Sequence, residues 1–264
     1  MNNKIVIGEG SKLEMILRSA IKYPGVKVDR TSFLKKELSK FHSENVVRKA
    51  IMFNPAQADI SIKEIDRIAK SCINYEAIQT SAISAAAGLP GGFAMAATIP
   101  ADTVQLFAHI LRILQKLAYL YGWQDMFASE DGLDDETSNR LILFIGVMAG
   151  VNAANGALAK IALLMAENVP KRLMREALTK GTIYPIVKSV AKVVGVKMTK
   201  PIFTKAVGKA IPIVGAATSG GITYVIFKPM AKRLKKYLET LRLADVDHYK
   251  DSQDNSNIID IGDY

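Results

Sequence analysis

A run of 25 residues without a charged side chain, residues 77–101, constrains the fold of this chain more than any other feature. As a helix it is long enough to cross a bilayer, which takes about 20 residues. It is built mainly from Ala, Gly, Ser and Thr, and the sequence Gly-Leu-Pro-Gly-Gly at residues 88–92 interrupts it. Two interpretations stay open: a tightly packed helical core, or a segment that enters a membrane together with partner helices.

Two further uncharged runs, residues 141–159 and 210–227, have the same character. Each carries glycines and polar residues that make insertion as a lone helix marginal on a transfer scale. Small residues recur in both runs, which lets neighbouring helices approach closely. The residues predicted to pack helices in this way are Gly146, Gly150, Ala154, Gly215 and Ser219. No segment of useful length has the alternating pattern of a strand, so the predicted fold is an all-α multi-helix bundle.

Composition along the chain predicts four regions. Residues 1–75 read as soluble amphipathic helices, and residues 76–170 as an Ala- and Gly-rich helical core. Residues 171–243 form a basic amphipathic helical region, and residues 244–264 an acidic tail that we expect to be disordered. An acidic loop before residue 137 is expected to place favourable negative charge at the start of the next helix.

Positive charge is concentrated in the last third of the chain. The net charge is +10, and residues 171–236 hold fifteen Lys or Arg against one Glu. This pattern is typical either of a solvated face or of a site for an anionic partner, which would be lipid headgroups or single-stranded nucleic acid. The candidate anion-binding residues are Lys188, Lys192, Lys197, Lys200, Lys205, Lys209, Lys228, Lys232 and Arg233.

A helix predicted over residues 102–121 carries one polar stripe on an otherwise apolar surface. Its residues advance in steps of three or four: Asp102, Gln105, His109, Arg112 and Lys116. In a soluble protein such a stripe is the wet side of the helix. In a membrane assembly it would face other protein or a water-filled lumen, and these residues would then line a pore.

The sequence has no strong catalytic or metal-binding pattern. The one cysteine, Cys72, shares a helical face with isoleucines and is interpreted as a small core residue. Asp102 and His109 could meet on one helical face, but this spacing is too common to indicate an acid–base pair. With no phosphate-binding loop and no Cys/His cluster in the sequence, we expect neither enzymatic activity, nor a cofactor, nor a bound metal.

Several irregular small-residue motifs resemble the bacterial EcsC family across residues 30–240. They are AAAGLPGGFAMAATIPADTVQLFAHILRILQKLAYLYGW, LFIGVMAGVNAA and KAIPIVGAATSGGITYVIF. Part of this pattern is also similar to helical modules of membrane-associated GTPases. The resemblance implies an all-helical, membrane-associated bacterial protein, from a family named for its place beside an ABC transporter and also found near phage-defence genes. It supplies no catalytic residues.

Together these features predict a protein at the cytoplasmic side of the cell membrane, peripheral or integral. We expect it to be a homo-oligomer that forms or gates a pore under the control of an anionic ligand, with a role in phage defence. Three alternatives stay open: a nucleic-acid-binding regulator, an enzyme on a hydrophobic substrate, and an accessory protein of a transporter or GTPase system. An accessory protein would have a partner encoded beside it and no pore activity.

Overall fold

The computed structural model describes residues 9–86, 101–127, 133–199 and 219–250. Within these ranges every regular element is helical, so the predicted all-α class is confirmed. In chain order the helices are α1 (Glu9–Ile21), α2 (Arg30–Leu38), α3 (Glu44–Met52), α4 (Ile62–Ala86), α5 (Ala101–Leu120), α6 (Asp135–Met148), α7 (Asn152–Ala166), α8 (Lys171–Thr179), α9 (Ile183–Thr199) and α10 (Ser219–Leu238). A 3-10 turn at Arg242–Ala244 follows α10.

Helices α5 and α6 lie at the centre of the bundle and contact each other. Helix α5 is surrounded by α1, α2, α4 and α10, and α6 by α7, α8, α9 and α10. Every residue of α6 from Thr137 to Met148 is buried, as expected for a helix whose last eight residues are apolar on all sides. Trp123 packs edge-on against Phe144, with ring centroids 4.7 Å apart, and thereby joins the end of α5 to α6.

The acidic loop begins α6 as predicted. Asp134 is the N-cap, and its carboxylate accepts a hydrogen bond from the backbone N–H of Thr137 at 2.7 Å. Asp135 and Glu136 occupy the first turn, where negative charge is favourable.

Helix α4 packs most extensively against α10, a helix from the far end of the chain. Lys235 of α10 pairs with Asp66 of α4 and, at 2.9 Å, with Glu239, the residue directly after α10. Helix α4 also runs without a break across residue 75, where composition had placed a boundary. The compositional regions therefore interleave in space.

The uncharged run of residues 141–159 is not one helix. The chain turns at Gly150, which has φ +74°. The N–H of Val151 donates to the carbonyl of Gly146 at 2.8 Å, and the N–H of Gly150 donates to that of Val147 at 3.0 Å. These two bonds are the Schellman pattern that ends a helix at a left-handed residue. The predicted packing role of Gly150 is therefore wrong: it ends α6.

The turn at Gly150 brings Gly146 and Ala154 together from two different helices. A Cβ placed on Gly146 would lie 2.8 Å from the Cβ of Ala154 on α7 and 2.5 Å from Cγ1 of Val190 on α9. Both residues thus have the helix-packing role predicted for them. Of the other two packing candidates, Gly215 lies outside the described residues, and Ser219 begins α10 with a side chain outside them.

The two remaining uncharged runs are described only in part. Residues 77–86 belong to α4, and residues 219–227 to α10, while residues 87–100 and 210–218 lie outside the described ranges. Among the helices that are described, none combines the length and the apolar content of a membrane span.

The beginning of the acidic tail is packed against the bundle. Residues 246–250 are helical, and Tyr249 is buried. Its hydroxyl accepts a hydrogen bond from Nδ2 of Asn54 at 3.1 Å. The prediction of disorder is therefore wrong for these residues, because a buried aromatic side chain holds them. Residues 251–264 lie outside the described ranges.

Candidate functional sites

A cluster of charged side chains is buried where α4 meets α5. Glu76 of α4 is fully buried, and its carboxylate pairs with two cations of α5. Nη2 of Arg112 lies 3.3 Å from Oε1, and Nζ of Lys116 donates a hydrogen bond to the same oxygen. A buried carboxylate needs such partners, because an unpaired charge in the interior is strongly unfavourable. We call Glu76, His109, Arg112 and Lys116 the α4–α5 charge cluster.

His109 lies in the same cluster with only 3% of its surface exposed. Neither ring nitrogen has a hydrogen-bond partner in the part of the chain that the structure describes. Burial lowers the pKa of His109 to about 4; the negative charge of Glu76 opposes this shift, and the positive charge of Arg112 adds to it. The imidazole is therefore neutral at pH 7.

The polar stripe predicted on α5 faces protein. Gln105 and His109 are buried, and the side chains of Arg112 and Lys116 are 23% and 14% exposed. The wet-side interpretation is wrong for these four residues, since Glu76 provides a buried partner for the cations. One signal could have revealed it: Glu76 follows Cys72 and Ile73 by four and three residues, which places it on the apolar face of α4. The side chain of Asp102 lies outside the described part of α5.

A second candidate site is the exposed side of helices α7, α8 and α9. Helix α9 packs against both α7 and α8. Seven cations with described side chains lie in this part of the chain, and two carboxylates, Glu167 and Glu176, accompany them. The cations are Lys160, Lys171, Arg172, Arg175, Lys180, Lys188 and Lys192. Over the described ranges none of the seven has a carboxylate within 4.0 Å. We call this surface the α7–α9 basic face.

The α7–α9 basic face includes two of the predicted anion-binding residues. Lys188 and Lys192 are both exposed one turn apart on α9, and Nζ of Lys188 lies 4.7 Å from the ring centroid of Tyr184. Nζ of Lys160 donates to Oγ1 of Thr182 at 3.2 Å, which links α7 to the start of α9. Lys197 is part of α9 with a side chain outside the described residues, and Lys200, Lys205 and Lys209 lie wholly outside them.

The predicted cations of α10 are placed elsewhere. Lys228 is half-buried and Lys232 is exposed. Nη1 of Arg233 donates to the backbone carbonyl of Met148 at 2.5 Å, and its guanidinium lies beside Gly150. Arg233 thus caps the last turn of α6, where backbone carbonyls lack helical partners. This contact accounts for the position of Arg233 in the fold. Its role in anion binding stays a prediction.

Cys72 is buried in the core, as predicted. Burial raises the pKa of its thiol to about 12, and the charge of Glu37 acts in the same direction. Since the thiolate is the reactive form, Cys72 is chemically inert in the folded protein.

Arg30, at the start of α2, is a buried arginine that no pattern in the sequence indicates. Its Nε donates to the carbonyl of Trp123 at 3.1 Å. Its Nη1 and Nη2 donate to the carbonyls of Ile51, at 2.6 Å, and Phe53, at 3.0 Å. Arg30 therefore joins the end of α3 to the loop after α5. Only long-range contacts reveal this role, since a single Arg beside a helix start is unremarkable in sequence.

The fold and these two sites define an all-α protein with a buried charge cluster and an exposed basic face. Comparison with protein-family models, curated proteins and solved structures finds no significant match. Membership of the EcsC family therefore stays a prediction.

Proposed function

We propose that the protein is a non-enzymatic effector that binds the anionic surface of the cytoplasmic membrane and acts there as a homo-oligomeric pore. The observation that carries the proposal is the set of cations on the α7–α9 basic face that have no carboxylate within 4.0 Å among the described residues. Each Lys or Arg near an anionic bilayer contributes about 1 kcal/mol. Three or four of them in simultaneous contact would contribute about 3–4 kcal/mol, which suits reversible binding.

An apolar side chain within the basic face favours lipid over nucleic acid. Leu173 of α8 is 54% exposed and lies between Arg172 and Arg175 in sequence. On α8 the inner residues Met174 and Leu178 pack into the bundle, so the cations and Leu173 are left on the outer surface. An exposed leucine among cations can enter the headgroup region, whereas a phosphate backbone offers it no partner.

The α4–α5 charge cluster supports the pore part of the proposal. Arg112 and Lys116 lie on one side of α5. Residues 77–101, between Glu76 and Asp102, carry no charge. In an oligomer at the membrane, charged residues must face protein or water, and this stripe already faces protein. For these cations to line a conducting path, α4 and α5 would have to separate in the oligomer, because Glu76 pairs with both of them in the folded chain.

Vesicle flotation tests the binding step. Phosphatidylcholine vesicles with and without phosphatidylglycerol are mixed with the full chain at physiological salt. We expect flotation only with phosphatidylglycerol, and a loss of binding of about 25-fold in the double variant Lys188→Gln/Lys192→Gln, since each charge contributes about fivefold. The double variant Lys35→Gln/Lys36→Gln on α2 removes the same charge from another exposed surface and should bind like the native protein.

Dye leakage from the same vesicles tests the pore step. Leakage that requires phosphatidylglycerol and rises steeply with protein concentration would support an oligomeric pore. Binding without leakage would reject the pore and favour the accessory role beside a transporter or GTPase. Equal flotation of neutral and anionic vesicles, or binding only to single-stranded DNA, would reject the membrane proposal.

A further inference from the structure

Two nitrogen-bearing side chains in the α4–α5 charge cluster have buried atoms without partners. Nδ1 and Nε2 of His109 and Nε of Arg112 are inaccessible to solvent and have no hydrogen-bond partner among the described residues. Nearly all buried polar side-chain atoms in folded proteins are satisfied, so these atoms need an explanation. A neutral imidazole has one donor and one acceptor nitrogen, so two of the three atoms are donors. His109 and Arg112 are three residues apart on α5 and therefore share one side of the helix.

Counted over the described side chains, the same place carries a surplus of positive charge. Glu76 contributes one negative charge, and Arg112 and Lys116 contribute two positive ones. Glu37 of α2 and Lys40, two residues after its end, pair with each other and add no net charge. On α5 the next acid is Asp102, two turns before His109 and about 10 Å away along the axis. The residues between Glu76 and Asp102 carry no charge.

We infer that the α4–α5 charge cluster binds a small inorganic anion, of which chloride is the simplest example, between Arg112 and His109. The Nε–H of Arg112 and the N–H of the neutral imidazole are its donors. An anion satisfies these donors and balances the surplus charge at once. Water would satisfy the donors alone, and a cation would add to the charge. The side chain of Arg112 is 23% exposed and gives the ion a route from solvent.

Thermal unfolding of the full chain without lipid tests the site independently of the proposed membrane function. The melting temperature is compared in sodium chloride and in sodium gluconate at equal ionic strength. We expect it to be higher in chloride by about 2–4 °C, which corresponds to a roughly fivefold change in the ratio of folded to unfolded protein. Equal melting temperatures in the two salts would overturn the inference.

Matched variants separate the site from general effects of salt. Arg112→Gln and His109→Phe each remove one donor and should abolish the difference between chloride and gluconate. Arg67→Gln removes an exposed arginine of α4 and should keep the full difference. If all three variants retain it, the ion binds elsewhere and the inference is wrong.

Diffraction from crystals soaked in sodium bromide gives a second readout that does not depend on the variants folding. We expect an anomalous peak within about 3.5 Å of Nε of Arg112, since bromide replaces chloride at hydrogen-bonding sites. Electron density for water at this position without an anomalous signal would reject the site.

Discussion

Replacing Gly146 by alanine tests the closest approach between helices in the core. The added methyl group would lie 2.5 Å from Cγ1 of Val190 and 2.8 Å from Cβ of Ala154. Val190 can rotate its side chain away, but the Cβ of Ala154 is fixed to the backbone of α7. The substitution therefore forces α6 and α7 apart next to the turn at Gly150.

Two opposing effects set the size of the change. Overpacking of a filled core costs about 1–3 kcal/mol. Replacing a helical glycine by alanine returns about 0.5–1 kcal/mol, because glycine loses more backbone freedom on folding. We therefore expect Gly146→Ala to lower the free energy of unfolding by about 1–2 kcal/mol, and the melting temperature by about 2–8 °C for a chain of this size.

The same substitution at Gly156 is the control. Gly156 lies within α7, is exposed, and a Cβ there would meet no atom within 4 Å. Gly156→Ala should raise the free energy of unfolding by about 0.5–1 kcal/mol, with urea denaturation as the assay. Adding Val190→Ala to Gly146→Ala should relieve part of the clash, which a double-mutant cycle would show as favourable coupling. If both alanine variants are stabilised equally, the close approach at Gly146 is wrong.

Three further predictions concern buried groups. Burial lowers the pKa of His109 to about 4, against about 6.5 unfolded, so the unfolded chain binds the proton first as pH falls through this window. Lowering the pH from 7 to 5 should therefore reduce the free energy of unfolding, measured by urea denaturation, by about 2 kcal/mol through this histidine. The variant His109→Phe should not show this part of the decrease. Arg30→Met leaves backbone carbonyls at the end of α3 and after α5 without a donor, and should lower the free energy of unfolding by about 3 kcal/mol or more. Arg30→Lys should restore only part of this stability. Cys72, with its thiol pKa raised to about 12, should react with a maleimide only in denaturant, and labelling of the folded protein within minutes at pH 7 would contradict its burial.

Local features of the helices were predictable from the sequence. Helix α5 was predicted over residues 102–121 and spans Ala101–Leu120. Gly122 follows it with φ +95° and lies against the backbone of Leu243, where a Cβ would be 2.6 Å from the carbonyl oxygen. The cap at Asp134 and the burial of Cys72 follow in the same way from residue type and spacing.

Contacts between distant parts of the chain were not predictable from the sequence. Two glycines four residues apart are equally typical of a packing face and of a helix that ends in a left-handed glycine. In this chain Gly146 packs against neighbouring helices, and Gly150 ends α6. The sequence places Glu76 on the apolar face of α4, but only the structure shows that this carboxylate lies against the polar stripe of α5. Tyr249 was assigned to the tail because its partner, Asn54, is 195 residues away.

The capping contact from Arg233 to Met148 has a consequence for biosynthesis. The two residues are 85 positions apart, and a ribosome adds about 5–20 residues each second. The end of the central helix is therefore complete for about 4–17 s before the arginine that covers it is made. During this interval the carbonyl of Met148 lacks its Arg233 donor and is open to water, while the backbone bonds that close the turn at Gly150 can already form.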